Sequence, residues 1–212
     1  MTFKTMKNII FDLGGVIINI DYFKTEQMFV DNGIANFGEL FSQMKQSDLF
    51  DRLETGKIGE LDFYNELRSV AESDISDGVI KDCWNAMLLD IPKERLDLLS
   101  KLKEEGYRIF LFSNTNIIHL EAFNQIAKEQ HGLDNLDGFF ETAYYSHEFG
   151  RRKPHTESFQ AILDKESLKP EDTLFIDDTM MHVEGARKTG MLAHFLTGGE
   201  AITDLDFTSF WN

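Results

Sequence analysis

The chain has too few cysteines, too little positive charge and no apolar run long enough for several classes of protein. Its single cysteine, Cys83, leaves no internal disulfide to form and suits a reducing compartment. No uninterrupted apolar stretch approaches the ~18 residues needed to span a bilayer, so no membrane partner is expected. The N-terminal apolar run meets Asp12 too soon for a signal peptide. Lysine and arginine number 21 against 37 aspartates and glutamates, a formal charge of −16 that repels phosphate backbones and argues against nucleic acid. The expectation is a cytoplasmic protein, monomer or homodimer, whose small partner can be anionic only where local cations override that field.

What is present is globular. Hydrophobic residues make up 42% of 212, with 19 phenylalanines, enough for one ordinary core and a sizeable insert. Short apolar runs at 8–12, 108–113, 142–146, 173–177 and 192–196 read as buried parallel strands. Between the later ones lie helices: Leu96, Leu99 and Leu102 behind Pro92 and before Gly106; Phe159, Ile162 and Leu163; Val183, Ala186 and Arg187 before Gly190. The alternation predicts an α/β fold, a Rossmann-like doubly wound parallel sheet.

After the first strand the texture changes. Leu61, Tyr64, Leu67 and Ala71 keep helical spacing, as do Val79, Ile80, Cys83, Trp84, Met87 and Leu88. Leu40, Phe41, Met44, Phe50 and Leu53 suggest a further helix or two. The expected organisation is a core of residues 1–17 and 92–212 with a helical insert at 18–91. Trp84, Met87 and Cys83 read as insert core.

Four places carry the chemistry. Asp12 ends the run Asn8-Ile9-Ile10-Phe11 and enters a Leu13-Gly14-Gly15 turn. Ser113-Asn114 follows Ile109-Phe110-Leu111-Phe112, Lys153-Pro154 lies in a basic loop, and Asp177-Asp178 follows Leu174-Phe175-Ile176. Taken singly, each has an ordinary structural reading as a turn, a cap or a solvated loop. Taken together, each sits at or just after a strand's carboxyl end, where the loops of an open parallel sheet converge. Three carboxylates in one crevice need a cation, and hard oxygen ligands point to Mg²⁺. The set suits phosphoryl transfer through an aspartyl-phosphate.

Phe11-Asp12-Leu13-Gly14-Gly15-Val16, Ser113-Asn114, Lys153-Pro154 and Phe175-Ile176-Asp177-Asp178 resemble, in order and spacing, the four motifs of the haloacid dehalogenase superfamily. The closest texture is that of its sugar-phosphate phosphatases with a helical cap, the α-D-glucose-1-phosphate phosphatase-like group. The resemblance implies a small phosphorylated metabolite as substrate, with Asp12 as nucleophile and Ser113 and Asn114 binding phosphate. It gives Lys153 the neutralising role, and Asp12, the Gly14 carbonyl and Asp178 the Mg²⁺, with Asp177 in support. The Gly56 loop, within Glu54-Thr55-Gly56-Lys57-Ile58-Gly59, resembles a substrate-specificity loop.

One departure stands out. Most phosphatases of the superfamily carry a second Asp two residues after the nucleophile, as acid and base; here it is Gly14. Losing such a group costs roughly 100- to 10,000-fold, about 3–5 kcal/mol of barrier. Either the leaving group needs little protonation or another group supplies the proton, with His119, Glu148 and His147 as candidates. His182 replaces an Asn common in related sequences, so a supporting hydrogen bond is expected to differ. Rival readings are C–halogen cleavage, a phosphotransferase or mutase, and a phosphate- or metal-binding pseudo-phosphatase. The Asp177-Asp178 pair argues against the first.

Overall fold

A computed structural model describes residues 7–46 and 48–211. Five strands form one parallel sheet in the order β3-β2-β1-β4-β5: β1 Asn8–Phe11, β2 Arg108–Ser113, β3 Thr142–Tyr145, β4 Thr173–Asp177 and β5 Leu192–Phe195. All five lie where the apolar runs place them, to within a residue. Alternation assigns the faces. Ile9, Phe11, Ile109, Leu111, Leu174 and Ile176 pack on one side, against Leu96, Leu99 and Leu102 of α6 (Lys93–Glu104) and Phe123 of α7 (Ile117–His131). Ile10, Phe110, Phe112 and Phe175 pack on the other, against Phe159, Ile162 and Leu163 of α9 (Thr156–Glu166) and Ala186 of α10 (Met180–Arg187). Buried on both faces, β1 has no polar side to spare, which is why its sequence reads as an unbroken apolar run. Each fully buried Phe there is worth roughly 1.5–3 kcal/mol.

Between β1 and β2 the described elements are helices: α1 Tyr22–Asp31, α2 Phe37–Gln46, α3 Leu49–Glu54, α4 Glu60–Ala71 and α5 Asp77–Asn85 precede α6. These helices share an apolar cluster that includes Phe29, Phe37, Leu53, Phe63, Leu67 and Trp84, joined by Ile118 from the first turn of α7. Two stretches of chain enter and leave the insert side by side. Asn19 N donates to Asp90 O, Leu89 N to Asn19 O and Asp21 N to Met87 O, each at 2.9 Å, and Ile20 bridges Leu88 antiparallel.

Two details differ from the periodicity. Leu61 is 64% exposed; Phe63, Tyr64 and Leu67 set the buried face of α4, and Leu61 falls outside it. The α5 helix stops at Asn85, because Met87 and Leu88 are drawn into the paired neck instead. Apolar spacing alone does not single out α1 or α7. Asp21 caps the first through Phe23 N, and Asn116 caps the second, accepting from Ile118 N and His119 N.

Candidate active site

The strand order reverses at β1: β2 and β3 lie to one side, β4 and β5 to the other. The crevice of an open α/β sheet opens at such a switch point, at the carboxyl ends of the strands. Asp12 leaves β1 there, its N–H donating to Ile176 O of β4 at 2.9 Å, and Asp177 ends β4. The turn after Asp12 folds tightly, with Ile17 N on Leu13 O at 2.8 Å and Gly15 N on Ile18 O at 2.8 Å. Gly15 has φ +73°, and a Cβ on it would fall 2.0 Å from Asp178 Oδ2. The left-handed backbone favours glycine here, and any side chain would displace the Asp178 carboxylate that lies against it.

Lys153 joins the strands' carboxylates. Its Nζ lies 2.7 Å from Asp12 Oδ1 and 2.7 Å from Asp177 Oδ2, and the residue is fully buried. The ammonium also sits 5.6 Å and 5.5 Å from the ring centroids of Phe112 and Phe175, which wall it from both neighbouring strands. Asn114 fixes the loop that carries it: Lys153 N donates to Asn114 Oδ1 at 2.9 Å and Asn114 Nδ2 to Lys153 O at 3.0 Å. The side chain of Asn114 thus positions the lysine loop, a function its place in the sequence did not reveal. Ser113 ends β2 and is buried at the same edge. Next to it, Ser146 Oγ accepts from Thr115 N and donates to Thr115 O, each at 2.9 Å.

Asp177 is saturated. Its Oδ1 accepts from Thr179 N at 2.8 Å, and His182 Nδ1 lies 3.1 and 3.0 Å from its two oxygens, in addition to Lys153. Those contacts, Lys153 foremost, hold its carboxyl below the ordinary range against the opposing effect of burial. Asp12, Asp177 and His182 offer atoms within 4.8 Å of one another. Because His182 Nδ1 is spent on Asp177, the histidine acts as a donor to that carboxylate. Asp12 and Asp178 carry the opposite burden. Burial pushes both carboxyls up, and Asp177 adds to the push; for Asp12, Lys153 offsets only part. Three carboxylates with one ammonium in contact leave surplus negative charge, and the donors are hard oxygens. The residues present fit a small divalent cation.

Gly56 lies at the seam between insert and core. With φ +69°, its Cβ would fall 2.2 Å from His147 O of α8 (Ser146–Phe149), so only glycine seats the loop this close. The same seam holds groups that sequence reasoning missed. Arg152 Nη2 lies 3.0 Å from Glu54 Oε2, and Arg152 Nη1 lies 3.5 Å from Asp51 Oδ1. Glu54's nearness in sequence to the Gly56 turn was the available signal.

His119 lies away from the Gly56 turn, where α7 meets α5. Its Nδ1 is 3.2 Å from Asn116 Nδ2 and its Nε2 is 3.1 Å from Trp84 O, while its ring stacks on Trp84 at 5.4 Å. Burial drives its pKa down to about 4 from 6.5, only partly offset by the Trp84 carbonyl. The imidazole is neutral when folded. Its contribution to stability is therefore complete above pH 6.5 and is lost as pH falls toward 4, a change of roughly 3 kcal/mol. His119→Gln should flatten this acid limb in denaturant titrations at pH 7 and pH 4.5. Equal acid losses in the two proteins would refute the assignment. Glu148, the carboxyl among the three candidate acids, has a 61% exposed side chain.

A haloacid dehalogenase-like hydrolase family model matches residues 6–190. D-Ribitol-5-phosphate phosphatase of Bacteroides thetaiotaomicron is 27% identical over 87% of this chain and 89% of its own. A sesquiterpene phosphatase of Aspergillus oryzae is also 27% identical, over 91% of each. The structure of the haloacid dehalogenase family enzyme BT-2542 of Bacteroides thetaiotaomicron, in complex with magnesium and inorganic phosphate, superposes with a TM-score of 0.84. It is 32% identical, covering 98% of this chain and all of the other. Among the described residues no helix is long and apolar enough to cross a membrane.

Proposed function

The chain belongs to the haloacid dehalogenase-like hydrolases, and on that footing we propose that it is a Mg²⁺-dependent phosphatase of a small phosphorylated metabolite, a sugar or polyol phosphate. One observation carries the reading: Asp12, Lys153 and Asp177 are joined by two 2.7 Å contacts at the sheet's switch point, with Asp178 beside them on Gly15. Asp12 attacks phosphorus through the oxygen that Lys153 does not hold. Lys153 absorbs charge that builds on the phosphoryl group and keeps the carboxylate aimed. Ser113 donates to a phosphoryl oxygen from the end of β2, with the Asn114 backbone beside it. Water then cleaves the aspartyl-phosphate and regenerates Asp12.

Asp12, the Gly14 carbonyl and Asp178 would hold the Mg²⁺, and Asp177, bound to Lys153 and His182, would support them from behind. When bound, the ion supplies positive charge to the phosphoryl oxygens and to the crowded carboxylates. The relative crystallised with magnesium and phosphate supports this reading. Residues 18–91 act as a cap, their Gly56 loop seated on the core to exclude water and meet the leaving group.

The test is phosphate release from sugar and polyol phosphates, nucleotides, flavin mononucleotide and acyl phosphates, before and after chelation. Turnover of at least one ester is expected, falling at least about 100-fold on chelation and returning with Mg²⁺. No release from any phosphate would end the proposal. Chelator-insensitive halide release from 2-haloacids would install the dehalogenase reading instead.

A further inference from the structure

Hydrolysis of an alkyl phosphate leaves one proton unassigned, because the departing oxygen must be protonated as its bond to phosphorus breaks. Position 14 cannot supply it. The residue is glycine and carries no ionisable group; a Cβ there would lie 3.3 Å from Ile20 Cδ1 in the neck of the insert, so a side chain would also require Ile20 to shift slightly. His119 is bonded at both nitrogens elsewhere, as described above, and Glu148 points into solvent.

Glu54 remains. It closes α3 and enters the Gly56 turn, which packs against the His147 carbonyl and so seats the end of α3 on the core. Its Oε2 is shut off from solvent, 3.0 Å from Arg152 Nη2, yet receives no aligned hydrogen bond. Arg152 precedes Lys153, whose ammonium touches Asp12. The charge of Lys153 reaches Glu54. Burial raises the proton affinity of the Tyr22 hydroxyl, and Asp12, Asp178, Glu54 and Asp177 add to it, so Glu54 acts on a group that the core carboxylates also act on.

We propose that Glu54, brought by the insert, protonates the leaving oxygen in place of a residue-14 side chain, and that Arg152 is the positioning residue that holds it there. The inference rests on the phosphatase reading. In the first half-reaction the bond from Asp12 to phosphorus forms and the ester P–O bond breaks. The proton on Glu54 passes to the departing oxygen, leaving a carboxylate beside Arg152. In the second, that carboxylate takes a proton from the water that attacks phosphorus, and the Asp12–phosphorus bond breaks. Glu54 ends protonated, as it began. Burial raises its proton affinity, Arg152 and Lys153 draw it down, and Asp51 raises it again. A carboxyl between opposing pulls is suited to exchanging its proton in both directions.

The test compares kcat/KM, which reports the first half-reaction, for two esters. One is the best alkyl phosphate of the panel above; the other is p-nitrophenyl phosphate, whose nitrophenolate departs without a proton. Glu54→Gln should lower the alkyl value by about 100- to 10,000-fold and the nitrophenyl value by less than about tenfold. Arg152→Gln supplies a second readout. The charged and titratable groups that act on Glu54 or share its seam are Arg152, Asp51, Lys153, Tyr22 and His147. Removing Arg152 should move the alkaline limb of the alkyl pH profile to higher pH, because the acid form is then held more tightly. Equal losses for both esters in Glu54→Gln would mean a structural or contact role and overturn the proposal, as would an unmoved limb in Arg152→Gln. Asp12→Asn should silence both esters. If it does not, the phosphatase reading falls, independently of Glu54.

Discussion

Asp12→Asn should abolish phosphate release from every substrate the wild-type protein turns over, by at least about 10,000-fold in kcat. The amide keeps the shape of the side chain and its place at the end of β1 but cannot form an acyl phosphate. The residual rate is then whatever the Lys153 ammonium and the Ser113 hydroxyl give to direct attack by water. The substitution also carries an expectation about stability, with the opposite sign. Asp12 is one of three carboxylates drawn together, and Lys153 already has a second partner in Asp177 at 2.7 Å. Replacing an excess buried anion with a neutral group removes repulsion and desolvation cost. The variant should therefore melt at or above the wild-type temperature in the absence of divalent ions. A protein that is inactive and also strongly destabilised would show that Asp12 holds the fold together, and its loss of activity would then say nothing about nucleophilic attack.

How much of this was readable in advance depended on how local the determinants are. The strands were legible because Ile9, Ile10 and Phe11, or Leu174, Phe175 and Ile176, are apolar on both faces, a pattern that exposed elements do not show. Asp12, Ser113 and the Asp177-Asp178 pair were legible because each ends or directly follows such a run; Lys153, which lies beyond α8, was legible only as part of the basic loop and of the motif it resembles. Leu61 was misplaced because a three-residue interval to Tyr64 fits helical spacing, while the face of α4 is decided by what Phe63 and Leu67 meet in the insert. Met87 and Leu88 fit helical spacing too, but pairing with Asp21 and Ile20 across the neck outweighs it. Glu54 and Arg152 could not be paired from sequence, since nothing in either stretch says that the Gly56 turn docks on α8. Asn114 read as a phosphate neighbour; its reciprocal bonds to the Lys153 backbone depend on the packing of β2 against the loop after β3.

The second large effect is expected at Lys153. In Lys153→Met the apolar stem is retained between Phe112 and Phe175, and only the ammonium is lost. Two carboxylates, Asp12 and Asp177, would then face each other in a space closed to water, without the charge that joins them. Breaking a buried ion pair from one side costs about 3–5 kcal/mol, because the partner left behind is a desolvated ion. At the same time the phosphoryl group loses the cation that neutralises it, so kcat should fall at least about 1,000-fold. Stability and activity can be separated by a second change. Lys153→Met combined with Asp177→Asn removes one of the stranded anions, and most of the lost stability should return in thermal melts while activity does not. Lys153→Arg should not rescue either property, since a planar guanidinium is wider than the ammonium and cannot make both 2.7 Å contacts inside the same two rings. A Lys153→Met protein that melts like the wild type would mean that these carboxylates do not depend on the lysine, and the charge balance assigned to the site would have to be abandoned.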